Sequence, residues 1–193
     1  MPMRCQSDSK RQIRSNAGAQ VVEFGAALCI LVGFIVIPMI DLVVVPIRWM
    51  LAQQIVNDYS RNLAVSETFS DALRRVQADP SLQTRLERLG GVYVKALRLQ
   101  MRIGRTQDSG KEQIIREEPR QIPVSWLPDG ANAPCSYSLD VLVDAEIAPA
   151  IIFKLGNASV PGLTKPIPIA IRGNHVWGNL GRNPRSGNYY LNE

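Results

Sequence analysis

The sequence has few of the residues from which catalytic and metal sites are usually built. It contains one histidine and three cysteines in 193 residues, and the cysteines lie far apart, at positions 5, 29 and 135. This spacing predicts neither an intrachain disulfide nor a metal site, and Cys135 is best interpreted as a small, partly buried apolar residue. The sequence also lacks a phosphate-binding glycine loop and a nucleophile elbow. We therefore expect a protein that is not an enzyme and that uses no cofactor.

The remaining candidates for chemistry are isolated. His175 lies among glycine and asparagine residues, without a second histidine or a nearby cysteine, and we interpret it as a turn residue. Asp140, Asp144 and Glu146 share one face of a predicted strand, and carboxylates of this kind can hold a hard cation. A solvated strand face is the simpler interpretation of these three residues.

Positive charge is in excess mainly at the N-terminus. The net charge is +5, from 22 basic and 17 acidic residues. Residues 1–18, the leader, contain four basic residues and one acidic residue, so most of the excess belongs to this short polar segment. We predict that the leader is disordered. Because the rest of the chain is nearly balanced, the charge does not indicate nucleic-acid binding.

A long uncharged run follows the leader. Between Phe24 and Val45 the only formally charged residue is Asp41. Twenty-two residues in a helix are about 33 Å long, which matches the roughly 30 Å hydrocarbon core of a bilayer. The run is too long and too uniformly apolar for a soluble core helix. It is also longer than the apolar region of a cleaved secretory signal, and no small-residue cleavage site follows it.

The sequence therefore predicts three regions. The basic leader (1–18) lies in the cytoplasm, residues 19–47 form a transmembrane helix, and residues 48–193 form an extracytoplasmic domain.

The extracytoplasmic region shows a helical period followed by a period of two. The predicted helices are the continuation of the membrane helix to about residue 64 and two short helices at residues 70–78 and 80–89, and the predicted strands are residues 92–103, 112–118, 138–147 and 167–171. A bulge is expected near Ala96, Pro168 favours an edge position for the last strand, and the tail from Gly173 is expected to be irregular. This order predicts an α+β fold in which the long helix packs its amphipathic half on a small antiparallel sheet.

The boundary between the leader and the apolar run carries a further pattern. The leader ends in Gly18, Glu23 is the fifth residue after it, Phe24 follows, and the apolar run begins directly. This arrangement resembles the processing site of type IV pilin-like proteins. With Ile40-Asp41-Leu42 at the far end of the run, it is most similar to the TadE-like minor pilins (pseudopilins) of the tight-adherence, or Flp-type, pilus system. The resemblance covers about residues 14–45.

The resemblance implies that a prepilin peptidase cuts between Gly18 and Ala19. The α-ammonium left on Ala19 then needs a partner when apolar helices pack together, because an unpaired charge in such surroundings is costly. Glu23 of one subunit can pair with Ala19 of the next, and a carboxylate at the start of a helix is also favoured by the helix dipole. Glu23 and Phe24 would therefore serve subunit docking.

The resemblance also implies a location and partners. The location is the bacterial inner membrane, and the partners are the prepilin peptidase, other pilins of the same system, the inner-membrane assembly platform and membrane lipid. The chain is larger than the major pilins, which are little more than the membrane helix, and it has Phe24 where those often have tyrosine. A large outer domain favours a minor subunit that initiates or assists assembly.

Two alternatives stay open at this point. The chain can instead be an unprocessed, signal-anchored protein whose outer domain binds a ligand or partner. Asp41, about 27 Å from Glu23 along a helix, can be a hydrated residue at the outer membrane interface or a contact between subunits.

Overall fold

A computed structural model describes residues 8–106, 113–151, 160–162 and 164–193, with the backbone alone for residues 8–19 and 113. The chain begins with one long helical rod. Helix α1 (Asp8–Leu31) continues through a π-helical turn (Val32–Val36) into helix α2 (Ile37–Ala64). The prediction of a disordered leader is wrong from Asp8 onward, where arginine, lysine, glutamine and alanine favour a helix and no proline interrupts it.

The π turn lies directly before Pro38, the residue at which the sequence predicts a kink in the helix. Proline has no backbone N–H and its ring crowds the preceding turn. The N–H of Ile37 donates to the carbonyl of Val32, five residues back, which is the hydrogen bond of a π-helix. The wider turn accommodates Pro38 while the helix continues.

Two short helices follow the rod. Helix α3 (Phe69–Ala78) begins after Thr68, whose hydroxyl accepts the N–H of Asp71 at 3.1 Å. The first turn therefore starts one residue earlier than predicted, and threonine is its cap. Helix α4 (Ser81–Glu87) begins after Pro80, and it is followed by the two glycines 90 and 91, both with positive φ.

The strands form one antiparallel sheet in the order β2-β1-β3-β4. The bounds are Val92–Arg105 for β1, Gln113–Arg116 for β2, Cys135–Ile147 for β3 and Ile167–Val176 for β4. The register of β1 against β3 shifts between Val94 and Ala96, close to the predicted bulge. Strand β4 is an edge strand, as Pro168 indicates, and it is five residues longer than predicted. The α+β fold is thus confirmed.

The core lies between one face of the sheet and the C-terminal half of α2. Alternate residues of β3 from Tyr137 to Ile147 are buried on this face, and Ala52, Val56 and Leu63 of α2 cover them. The tail closes the core, because Trp177 and Leu191 are also buried. Residues 177–189 have no regular helix or strand, as expected, but hydrogen bonds from Asn179 to Glu67 and from Asn183 to Glu193 connect them to other parts of the chain.

Candidate functional site in the long helix and its junction with the sheet

The N-terminal half of the helical rod is almost uncovered. The helix from Gln20 to Ala64 is long and apolar enough to cross a membrane, and only 6% of its most apolar 18-residue window is buried. Large apolar side chains are exposed along it, among them Val21, Val22, Phe24, Ile30, Phe34, Met39, Leu42 and Val43. A helix that exposes apolar side chains over most of its surface is suited to lipid or to contact with other apolar helices.

The predicted processing and docking residues lie on this uncovered half. Gly18 and Ala19 belong to the continuous backbone of α1. Glu23 is exposed, and no hydrogen bond or ion pair within the described part of the chain reaches its carboxylate. Phe24 is 70% exposed. The fold therefore leaves the side chains of Glu23 and Phe24 free of the α+β domain.

Asp41 is different, because the chain's own outer domain covers it. Its side chain is 2% exposed. Oδ1 accepts the backbone N–H groups of Ala150 at 2.7 Å and of Ile151 at 3.3 Å, just after the end of β3. Oδ2 is buried without a hydrogen-bond partner among the described residues. Asp41 is thus not the hydrated interfacial residue that the sequence offered as one interpretation, and its contact with another subunit stays a prediction.

Arg48 holds the same segment seven residues, or about two turns, further along the helix. Its Nη1 donates to the carbonyl of Ala148 at 2.6 Å. The N–H of Ala148 in turn donates to the carbonyl of Gly91 at 2.7 Å. One side of the helix therefore binds the backbone just after β3 at two points. Asp41 accepts two N–H groups, and Arg48 donates to a carbonyl.

Beyond Arg48 the helix runs along the edge strand β4. Helix α2 and strand β4 approach so closely at Gly173 that a Cβ on this residue would lie 2.7 Å from the carbonyl oxygen of Val56. Gln53 Nε2 donates to the carbonyl of Arg172 at 2.7 Å. The helix thereby covers part of a sheet edge that would otherwise offer backbone groups to another chain.

The other face of the sheet carries charged residues, and one of them corrects the sequence analysis. Asp140, predicted to be solvated, has no exposed surface. Arg102 and Arg172, from the two flanking strands, contact its Oδ2 at 3.2 and 2.6 Å, and Asn174 Nδ2 donates to its Oδ1 at 2.5 Å. The long arginine side chains cover the carboxylate, so an outward-facing strand position is buried.

The neighbouring acids match the prediction of a solvated face. Asp144 pairs with Arg98 at 2.9 Å and Glu146 pairs with Lys95 at 3.2 Å, and all four side chains are at least one-third exposed. Among the described residues no three His, Cys, Asp or Glu side chains are grouped as metal ligands would be.

Two further predicted positions can be placed. His175 lies in strand β4 and not in a turn, because β4 continues to Val176. Cys135 is partly buried at the start of β3, and its thiol donates to the carbonyl of Asn132 at 3.2 Å. Burial raises the pKa of the Cys135 thiol, which agrees with its interpretation as a partly buried apolar residue.

Sequence reasoning missed the role of Arg48 and of the segment 148–151. One signal was present, because Asp41 and Arg48 are seven residues apart and share a side of the helix. Their partners are backbone groups, however, and backbone groups have no signature in the sequence.

A comparison of the chain with protein-family models, with curated proteins and with solved structures finds no significant match.

Proposed function

We propose that the protein is a pilin-like subunit anchored in the inner membrane by one helix, and specifically a TadE-like minor pilin that takes part in the assembly or initiation of a tight-adherence pilus. One observation supports this most. The helix is continuous from Gln20 to Ala64, its first half is apolar and uncovered, and its second half is fixed on a sheet.

This architecture suits a subunit whose helix is first surrounded by lipid and later by the helices of other subunits. The uncovered half has apolar side chains on all sides, so neighbouring apolar helices can replace lipid around it without exposing polar groups. The outer domain has its own core and touches this half only near its end, around Pro38, Asp41 and Leu42. A subunit built in this way can leave the membrane with its domain unchanged.

Glu23 supports the docking part of the proposal. It is the only acidic residue between Asp8 and Asp41, and its carboxylate is exposed and free of partners in the described chain. In lipid or in a helix bundle such a charge needs a counter-charge. The α-ammonium that cleavage would leave on Ala19 of a neighbouring subunit is a counter-charge only about one helical turn from the level of Glu23.

The processing step is tested by the N-terminus of the protein in its native membrane. We expect a mature chain that begins with Ala19, found by N-terminal sequencing or by the mass of the intact protein. Cells that lack the prepilin peptidase should retain the leader and serve as the control. A chain that keeps residues 1–18 in the presence of the peptidase would favour the unprocessed, signal-anchored protein.

The docking step is tested by changing Glu23. Glu23→Gln removes the charge at nearly constant size and should abolish incorporation with other pilins, measured by co-purification and by counting pili. Glu23→Asp keeps the charge and is the matched control, which should retain part of the incorporation. Limited proteolysis should show the same stable outer domain in both variants. Normal assembly of the Glu23→Gln protein would show that Glu23 has no docking role.

A further inference from the structure

We propose that the two described ends of the connection between β3 and β4, residues 148–151 at one end and 160–162 with 164–166 at the other, form a second membrane-contacting element that rests in the outer boundary of the bilayer beside the helix. We call these ten described residues the membrane-side loop. The inference depends on the membrane span in the proposed function and not on the assignment as a pilin.

The position of Asp41 sets the depth of the loop. Asp41 is 18 residues after Glu23, which corresponds to about 27 Å of helix. If Glu23 lies at the inner boundary of a hydrocarbon core about 30 Å thick, Asp41 lies about 3 Å inside the outer boundary. The N–H groups of Ala150 and Ile151 bind the carboxylate of Asp41, so this part of the loop lies at the same depth.

The other end of the loop also lies beside the last turns of the span. Pro161, Gly162 and Ile167 form an apolar pocket of about 360 Å³ together with residues of the helix, which are Pro38, Asp41, Leu42, Val45 and Pro46. Pro38 is about one turn deeper in the membrane than Asp41. The loop is therefore alongside the end of the apolar run and not above it.

Several backbone polar groups of residues 148–151 are satisfied within the chain. Asp41 accepts the N–H groups of Ala150 and Ile151. Ala148 uses both of its groups, with its N–H donating to Gly91 and its carbonyl accepting from Arg48. Irregular backbone at membrane depth is tolerated where protein partners satisfy it. This explains why an aspartate occurs in an otherwise apolar run. Asp41 accepts two N–H groups that would otherwise need water as their acceptor.

The second described segment follows the same rule. Thr164 Oγ1 accepts the N–H of Val160 at 2.7 Å, and its own backbone N–H donates to the carbonyl of Val160 at 2.9 Å. The N–H of Gly162 donates to the carbonyl of Lys165 at 2.8 Å. Local hydrogen bonds therefore satisfy several of the backbone groups of this turn.

The side chains of the loop fit a lipid surface. Ile151 and Val160 are 41% and 42% exposed, while Leu42 and Val43 are exposed on the helix nearby. Between Ile147 and Ile171 the sequence contains no acidic residue, and its only charged residues are Lys154 and Lys165. Apolar side chains accompanied by lysines are typical of segments that insert into the interface of an anionic membrane.

The test measures how close single positions come to lipid in the full-length protein. Cys5, Cys29 and Cys135 are replaced, and one new cysteine is introduced as Val160→Cys, Val43→Cys or Val176→Cys. Each cysteine carries a bimane label, and the protein is reconstituted in phosphatidylethanolamine–phosphatidylglycerol vesicles with and without lipids brominated on the acyl chain. Val43 represents the membrane span. Val176 is the matched control, because it is 69% exposed and lies at the other end of β4, about 30 Å from Ile167.

We expect bromine to quench the label at position 160 to an extent close to that at position 43, and the label at position 176 to stay unquenched. Circular dichroism checks that each variant is folded. Quenching at position 43 together with an unquenched position 160 would overturn the inference and leave the membrane span intact. An unquenched position 43 in reconstituted protein would overturn the span itself, and the proposed function with it.

Discussion

The guanidinium of Arg48 occupies the space that a side chain on Gly91 would need. A Cβ on Gly91 would lie 2.7 Å from Nη1 of Arg48 and 3.0 Å from its Cζ. Arg48 cannot move aside without losing its 2.6 Å hydrogen bond to the carbonyl of Ala148. The second glycine of the Gly90-Gly91 pair therefore does more than permit a turn, because it admits the helix to the end of β3.

Gly90 and Gly91 provide a matched pair for measuring that approach. Both have positive φ, +70° and +74°, but a Cβ on Gly90 would meet open space. Gly90→Ala should cost about 1–2 kcal/mol of the free energy of unfolding through backbone strain alone. Gly91→Ala should cost about 1–2 kcal/mol more, because it also displaces a hydrogen bond made by a charged group.

Urea unfolding of the full chain in detergent micelles measures both costs. Arg48→Ala supplies the control, since the extra cost at Gly91 should disappear when Arg48 is absent. Equal costs for Gly90→Ala and Gly91→Ala would show that the Arg48 side chain can move aside without any loss of stability.

The contact between α2 and β4 predicts a second pair of effects. A Cβ on Gly173 would lie 2.7 Å from the carbonyl oxygen of Val56, and backbone cannot rotate away as a side chain can. Gly173→Ala should therefore destabilise the domain by about 1–3 kcal/mol. Gly178→Ala places its Cβ 3.3 Å from the carbonyl of Ala64 and should cost less. Thermal unfolding followed by circular dichroism compares the two, and the reverse order would contradict the close approach at Gly173.

The buried carboxylate on the open face of the sheet predicts a third contrast. Asp140→Ala removes the shared partner of Arg102 and Arg172, whose side chains are 32% and 44% exposed. We expect a loss of about 1–3 kcal/mol, below the full cost of a buried unpaired charge because water can reach both arginines. Asp144→Ala breaks an exposed pair with Arg98 and should cost about 0–1 kcal/mol. Chemical unfolding measures both changes, and similar losses would mean that the burial of Asp140 adds nothing.

Asp41 predicts a local effect at the end of β3. Asp41→Ala leaves the N–H groups of Ala150 and Ile151 without an acceptor, and each buried unsatisfied group costs about 1–3 kcal/mol. Asp41→Asn keeps a carbonyl oxygen for the same two groups. Hydrogen exchange at Ala150 and Ile151 should therefore be much faster in the alanine variant and close to the original rate in the asparagine variant. Unchanged protection in Asp41→Ala would show that the bonds to Asp41 do not hold the loop.

Local patterns in the sequence were enough to predict the order of the elements. The apolar run from Phe24, the two glycines after α4 and the alternation in β3 each depend on neighbours a few residues away. The length of the strands was less accessible. Strand β4 continues through Gly173-Asn174-His175 because these residues pair with β3 and pack against α2. A stretch that contains glycine and asparagine does not predict such pairing from its sequence.

The candidate site also combines features that local sequence patterns predict with features that they do not. The uncovered half of the helix and the positions of Glu23 and Phe24 follow from an apolar pattern. The burial of Asp140 depends on arginines from two other strands, and the contact of Asp41 depends on backbone groups 109 and 110 residues away. Interactions over such separations are set by the tertiary structure, and the types of the residues do not reveal them.

The π turn at Val32–Val36 determines which side of the rod carries Glu23. Eighteen residues are five full turns of a regular α-helix, so Glu23 and Asp41 would lie on one side of an uninterrupted helix. One additional residue in a turn changes the phase by about 100°. The face that carries Glu23 is thereby rotated about a quarter turn from the side that holds the sheet. In the proposed assembly, a neighbouring helix therefore meets Glu23 on a different side of the rod from the one that the α+β domain occupies.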